Sequence, residues 1–337
     1  MPDTFIEDIL ITNLATLKIY KTKEETGNQY TTIEQFKTQI NKCKTILEDC
    51  IKNRPSTQPD VKTINIYLGK DGWTSETNTL GEAWSYNNIG NIRINQWNTT
   101  GDYYLNGILE HHYLNDTAEH QNISVIIHEI FHVFGLFPNP NSIDDDDFGE
   151  IEDSDGKMRR IYKGANGLNG YKKVLLANNI TVPDPIYICL EDDFGTGTIN
   201  VHLEEAYNSS SDRYEVIKII DLTTGVQFYP TLWNEIMSGL LDRINNYITP
   251  ITMGCLEDFG YTINYKSPYI VTNGTNMNFV VNEKSKQMGT EKNYITLDED
   301  IYDISYLNKV LKGGELNNIN ILSEMVIEKW GQKIPSR

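Results

Sequence analysis

The chain has 337 residues and a formal net charge of −18, and 39% of its residues are hydrophobic. This length and composition predict a buried core in one large domain or in two to three lobes, and they exclude wholesale disorder. Nucleic acids and anionic membranes bind through clustered Lys and Arg side chains. The acidic balance therefore predicts no nucleic-acid partner.

The first residues and the cysteines bear on the cell compartment. The first ten residues carry three acids and no basic segment, so we expect no secretory signal. No apolar run reaches the length of a transmembrane helix, and four cysteines are too few for a disulfide framework. We expect a soluble protein without membrane insertion. It would be either cytoplasmic, or else exported or packaged by a route that this chain does not encode.

The first predicted helix begins after a capping box at residues 31–34, and its apolar side chains recur at helical spacing from Ile33 to Cys50 until Arg54-Pro55 ends the run. Residues 61–68 alternate in the manner of a strand, and Ile92 and Ile94 suggest another short strand. A second helix, at about residues 122–134, is apolar around most of its circumference. This pattern predicts that the second helix is buried.

The rest of the chain has weaker signals, which predict the following regions: a loop over 139–156, loops and strands over 182–233, a helix or turn region over 234–261, and two weakly amphipathic helices at 304–311 and 321–330. The first of these regions holds Asp144 to Asp147 and Asp153, whose carboxylates are a ligand type that Ca²⁺ accepts. It lacks a complete calcium-loop signature, so we interpret it as a solvated acidic loop.

The second helix contains the motif His128-Glu129-Ile130-Phe131-His132. Residues four apart share one helix face, with Cβ atoms about 5–6 Å apart, and two neutral imidazoles at that spacing can share one tetrahedral Zn²⁺. Glu129 lies beside the first ligand without binding the metal, where it can take a proton from zinc-bound water. Polar residues in an apolar helix cost free energy unless they are paired or metallated. The motif therefore predicts one catalytic zinc ion.

A catalytic zinc ion takes three protein ligands, and three positions are candidates for the third. The compact long motif requires a histidine three residues after Gly135, where this chain has Pro138. A helical glutamate about 20 residues downstream would be Glu152, which lies in an acidic stretch typical of a loop. The remaining histidine after the motif is His202, and we expect it to be the third ligand. Gly135 suits a positive φ that ends the helix, although an ordinary helix stop explains it equally well.

At these residues the chain resembles the metzincins and, within them, the leishmanolysin-like metallopeptidases. The likeness covers about residues 33–265, and several motifs follow the family's order. The motifs are His128 to Gly135, the segment 79–84, the segment 162–166 with Gly170-Tyr171, the segment 190–198 followed by His202-Leu203-Glu204-Glu205, Asn234-Glu235-Ile236-Met237-Ser238-Gly239, and the segments 248–252 and 256–261.

The resemblance implies an α+β, metzincin-like fold with three parts. Residues 1–138 would form an N-terminal lobe with a mixed twisted sheet, a backing helix and the active-site helix. Residues 139–282 would form an irregular C-terminal lobe with the third zinc ligand and a Met-turn, in which Met237 lies beneath the imidazoles. Residues 283–337 would form a small helical tail that has no counterpart in the family.

The implied activity is that of a zinc endopeptidase, with Glu129 as the general base and a protein or peptide as the substrate. The alternative is a catalytically quiet binding or assembly protein that retains the fold, and a lost Glu129 or a lost ligand would indicate it. The resemblance also implies that the strand near residues 91–97 forms the upper edge of the cleft and pairs with an extended peptide.

The chain departs from the family pattern in four respects. Leu203 replaces the tryptophan that follows the third ligand, and an extra segment at about residues 208–231 precedes the Met-turn. We also expect neither a propeptide nor the family's dense disulfides.

Overall fold

The structure is a computed structural model. It describes residues 4–22, 33–56, 62–69, 81–86, 89–94, 120–137, 146–154, 156–192, 200–204, 207–208, 213–214, 217–221, 225–232, 234–239, 246–273, 277–282, 285–288 and 293–296. Over these residues the protein contains four helices and a mixed sheet, which confirms the predicted α+β class. The chain divides into two compact units. Unit 1 holds the described residues up to Leu136 and Phe259–Tyr269, and unit 2 holds Phe137–Asp258 and the described residues from Ile270 onwards.

Unit 1 is a five-stranded mixed sheet with two helices. The strands are β1 (Thr4–Ile11), β2 (Ala15–Lys21), β4 (Lys62–Leu68), β5 (Gly81–Tyr86) and β6 (Ile89–Ile94), in the spatial order β1-β2-β4-β6-β5. The β2–β4 and β4–β6 pairs are parallel, and the β1–β2 and β5–β6 pairs are antiparallel. The helices are α1 (Ile33–Cys50) and α2 (His120–Phe134), and a short β3 (Ile51–Asn53) pairs with β15 (Thr262–Ile263).

The core of unit 1 follows from two periodicities. Every second residue of β4 is buried, namely Ile64, Ile66 and Leu68, because successive strand side chains point to opposite faces. Helix α1 buries one stripe at helical spacing, whereas α2 is buried over most of its circumference. The first predicted helix is confirmed, but it ends at Cys50 before the predicted stop at Arg54-Pro55, because residues 51–53 form β3. The predicted helix at 122–134 and the predicted strand at 61–68 are also confirmed. Strands β1 and β2 were not predicted.

The sheet edge differs from the expectation. The strand predicted near residues 91–97 is β6, which lies between β4 and β5 and pairs with both of them. The prediction that this strand forms an edge is therefore wrong. The β5–β6 hairpin places β5 outside β6 in the strand order, so β5 is the edge strand among the strands that the structure describes.

Unit 2 is organised around a close helix pair, α3 (Ala165–Ala177) and α4 (Pro250–Asp258). A Cβ on Gly170 would lie 1.9 Å from the carbonyl oxygen of Pro250, and one on Gly254 would lie 2.2 Å from that of Asn166. Only glycine permits backbones to approach so closely. The two glycines of α3, Gly167 and Gly170, and the asparagines beside them obscure its helical pattern, and this helix was not predicted.

The strands of unit 2 form several small antiparallel sheets. They are β7 (Phe148–Glu152), β8 (Met158–Tyr162) and β9 (Ile188–Cys189) in one sheet, the hairpins β10 (Tyr207–Asn208) with β11 (Arg213–Tyr214) and β12 (Ile217–Asp221) with β13 (Gly225–Tyr229), and a sheet of β14 (Thr231–Leu232), β16 (Asn278–Asn282), β17 (Ser285–Met288) and β18 (Asn293–Thr296). The prediction of a loop over residues 139–156 is wrong for residues 148–152. These residues form strand β7, because β8 supplies their backbone hydrogen-bond partners. The tail helices predicted at 304–311 and 321–330 lie outside the described residues.

The extra segment at about residues 208–231 contributes to the core of unit 2. Its β12–β13 hairpin buries Ile217, Ile219 and Tyr229 against Ile161 and Cys189 of the neighbouring sheet. All four cysteines are buried free thiols. Of the helices that the structure describes, none is long and apolar enough to cross a membrane.

Candidate metal centre

The polar residues of α2 stand out because almost everything around them is apolar. The helix buries Ile126, Ile127 and Ile130 completely or almost completely, and yet His128 is only 2% exposed and Glu129 only 4%. Buried polar groups of this kind need hydrogen bonds or a metal ion. His128 and Glu129 therefore mark a candidate functional site on the buried surface of the helix.

The two histidines of α2 have the geometry of a metal-binding pair. Nε2 of His132 lies 3.0 Å from Nε2 of His128, and the ring centroids are 4.7 Å apart. Two nitrogens bound tetrahedrally to one zinc ion at about 2.0–2.1 Å lie about 3.3 Å from each other. The observed spacing is close to that value, so this donor pair fits zinc.

The second ring nitrogen of His132 explains its orientation. Nδ1 lies 3.2 Å from the carbonyl oxygen of Leu136, an acceptor, so Nδ1 carries the hydrogen and Nε2 keeps its lone pair. Burial lowers the pKa of His132 to about 4, which keeps the ring neutral at physiological pH. Gly135, with a φ of +108°, directly follows α2 and turns the chain so that the Leu136 carbonyl reaches the ring.

The C-terminal end of α2 is held by two side chains that sequence reasoning missed. Lys62 donates a hydrogen bond from Nζ to the carbonyl of Val133, and Tyr261 donates from its hydroxyl to the carbonyl of Phe134 at 3.2 Å. Helix ends leave such carbonyls without partners inside the helix. Both donors lie far from α2 in sequence, so no local pattern could have identified them.

Glu129 lies against the edge strand of the sheet. A Cβ on Gly81, the first residue of β5, would lie 2.7 Å from Oε1 of Glu129. Burial, and to a smaller extent the charge of Glu82, raises the pKa of Glu129 to about 8. Glu82 is itself ion-paired with Arg93 at 2.7 Å. The carboxyl of Glu129 therefore holds a proton more tightly than an ordinary glutamate and lies beside a strand edge.

His202 lies in unit 2, in a short buried segment held by backbone hydrogen bonds on both sides. Its carbonyl accepts from the backbone N–H of Glu191 at 3.0 Å, and the N–H of the next residue, Leu203, donates to the carbonyl of Met237 at 2.9 Å. Asn200, with a φ of +65°, forms the turn before the segment. The segment is therefore bonded to both the 191 region and the Met237 turn.

Met237 is completely buried in a turn that a buried carboxylate organises. Glu235 accepts from the backbone N–H of Met237 at 2.6 Å and from the hydroxyls of Thr249 and Thr252 at 3.0 and 2.5 Å. Burial raises the pKa of Glu235 to about 7, although these hydrogen bonds oppose the increase. The sequence did not predict this role for Glu235, since the two threonines that bind it come from a separate stretch of chain.

The acidic residues that the sequence offered as other candidate metal ligands lie in different settings. Glu152 lies on the exposed side of strand β7 and not on a helix, so it lacks the setting that a helical zinc ligand requires. Asp153 accepts hydrogen bonds from the backbone N–H of Lys157 at 2.9 Å and from Nε of Arg159 at 2.7 Å. Asp144 and Asp145 lie outside the described residues.

Comparisons of the chain with protein-family models, with curated proteins and with solved structures found no match. The resemblance to leishmanolysin-like enzymes therefore stays a prediction from sequence motifs.

Proposed function

We propose that the protein is a zinc-dependent endopeptidase of the leishmanolysin-like type, with zinc bound by the ring nitrogens of His128, His132 and His202. The observation that carries this proposal is the histidine pair of α2. The His128 ring is buried, the His132 ring is partly buried and their Nε2 atoms lie 3.0 Å apart, with the Glu129 carboxyl on the same helix. This combination is what a catalytic zinc site requires from one helix.

Each residue has a defined task in this mechanism. When bound, zinc lowers the pKa of a water ligand towards about 7 and polarises the scissile carbonyl. His132 keeps an Nε2 lone pair because Leu136 accepts the hydrogen on Nδ1. Glu129 accepts the proton of the attacking water and then donates it to the leaving amine.

The strand edge beside Glu129 supports a peptide as the substrate. Among the described strands β5 pairs with β6 alone, so its outer edge offers backbone donors and acceptors to an extended chain. The absence of a side chain on Gly81 lets the carboxyl of the general base lie against the start of this strand. An added substrate strand would therefore place a peptide bond near Glu129.

His202 and Met237 complete the proposed site. Two imidazoles alone rarely hold a catalytic zinc ion, and His202 is the one histidine downstream of α2. Met237 is proposed as an apolar floor for the imidazoles, a role for which its complete burial is suited. A catalytically quiet protein would be indicated by a missing base or ligand, and this chain retains both.

The test is a zinc analysis of the purified protein combined with a digest of casein or a peptide library. We expect about one zinc ion per chain, cleavage that a chelator abolishes, and recovery when zinc is added back. The Glu129→Gln variant, which keeps the ligands, is the matched control and should bind zinc without cleaving. Zinc-free protein, or cleavage that a chelator does not affect, would contradict the proposal.

A further inference from the structure

A group of charged side chains, most of them buried or partly buried, lies beside the segment that carries His202. Its acids are Asp153, Glu191, Asp192 and Glu204, and its bases are Lys157 and Arg159. One carboxylate oxygen from each of Glu191, Asp192 and Glu204 lies within 4.8 Å of the others. Like charges so close together in a buried setting repel strongly unless a cation lies among them.

Arg159 supplies that cation and joins three separate stretches of chain. Its Nε donates to Asp153 at 2.7 Å, and its Nη1 contacts Glu204 at 3.3 Å and forms an ion pair with Asp192. The planar guanidinium can make such contacts in fixed directions, which a lysine ammonium cannot. The second base, Lys157, is half exposed and pairs with Asp192 at 2.8 Å.

The position of Glu204 links this charge group to His202. Glu204 follows His202 by two residues, and its N–H donates to the carbonyl of Cys189 at 3.1 Å. On the other side, the backbone N–H of Glu191 donates to the carbonyl of His202, and the carbonyl of Glu191 accepts from the N–H of Asn200. Repulsion between the carboxylates would therefore act directly on the backbone hydrogen bonds that hold His202.

We propose that Arg159 is a positioning residue for His202, because its guanidinium neutralises Glu204 and keeps the 200–204 segment against residues 191 and 192. The inference rests on the proposed function, in which His202 is a zinc ligand. Residues that orient a metal ligand without touching the metal change metal affinity about 10–100-fold when they are replaced. Arg159 should have an effect of that size.

The experiment compares zinc release from three variants of the full chain. Arg159→Met removes the charge and keeps a side chain of similar length. Arg159→Lys keeps the charge but lacks the planar guanidinium with its several N–H donors. Lys157→Met removes an equal charge from a side chain that does not contact Glu204. A chromogenic chelator measures the zinc dissociation rate, and thermal denaturation of the metal-free protein reports stability. We expect release to be at least about tenfold faster for Arg159→Met, intermediate for Arg159→Lys, and near the wild-type rate for Lys157→Met.

A double-mutant cycle separates positioning from a general structural effect. In a His202→Ala background, where zinc binding is weak and is measured by titration with excess zinc, Arg159→Met should leave the zinc affinity unchanged, because the ligand on which it acts is absent. An equal effect in that background, or an equal effect of Lys157→Met, would overturn the inference. If Arg159→Met does not fold, a wild-type release rate for Arg159→Lys would overturn it as well. A wild-type protein that binds no zinc would instead refute the proposed function.

Discussion

Replacing Glu129 by glutamine tests both the burial and the catalytic role of this carboxyl group. Glutamine has nearly the same shape and stays neutral at every pH. Burial, and then the charge of Glu82, raises the pKa of Glu129 from 4.5 to about 8. In the metal-free protein the fold therefore favours the protonated carboxyl, and ionising it costs stability.

The sign and the size of the effect follow from proton linkage. The pKa is higher in the folded than in the unfolded state, so the associated stability is fully present below about pH 4.5 and is lost as the pH rises to about 8. The change from 4.5 to about 8 corresponds to roughly 5 kcal/mol as an upper limit. Glutamine does not titrate, so metal-free Glu129→Gln should be more stable than wild type at pH 8, with little difference near pH 4.

Chemical denaturation in the presence of a chelator, at pH 4 and at pH 8, measures this difference. The exposed Glu152 on β7 provides the matched control, since Glu152→Gln should show no gain at either pH. With zinc bound, Glu129→Gln should retain the metal while proteolysis falls about 10²–10⁴-fold. A metal-free variant that is less stable than wild type at pH 8 would refute the burial argument. Wild-type turnover by the zinc-loaded variant would refute the role as base.

Three further predictions concern the ligands, the strand edge and the surface charge. His202→Ala should weaken zinc retention by orders of magnitude, whereas Glu152→Ala should leave it intact, and zinc stoichiometry after dialysis decides between the two. Gly81→Ala would place a Cβ 2.7 Å from Oε1 of Glu129, so peptide cleavage should fall while zinc stays bound; unchanged kcat/KM would contradict this contact. With a net charge of −18 the protein should show no salt-dependent retention on DNA, and clear binding at physiological ionic strength would show a basic patch.

The elements that could be predicted from the sequence are those whose pattern is local. Helical periodicity predicts α1 and α2, and alternation predicts β4, because the buried face repeats along the segment itself. The spacing of His128 and His132 is equally local. A helix places residues four apart on one face, so the pair could be expected to share a ligand before any packing was known.

Tertiary structure decided the features that depend on distant partners. Helix α3 forms because its glycines pack against α4, although glycine and asparagine favour turns when considered alone. Strand β5, and not β6, is the sheet edge, since strand order is a property of the whole sheet and not of one segment. Hydrogen bonds between distant residues are of the same kind. The end of α2 receives them from Lys62 and Tyr261, and Glu235 receives one from Thr249, and only folding brings such donors and acceptors together.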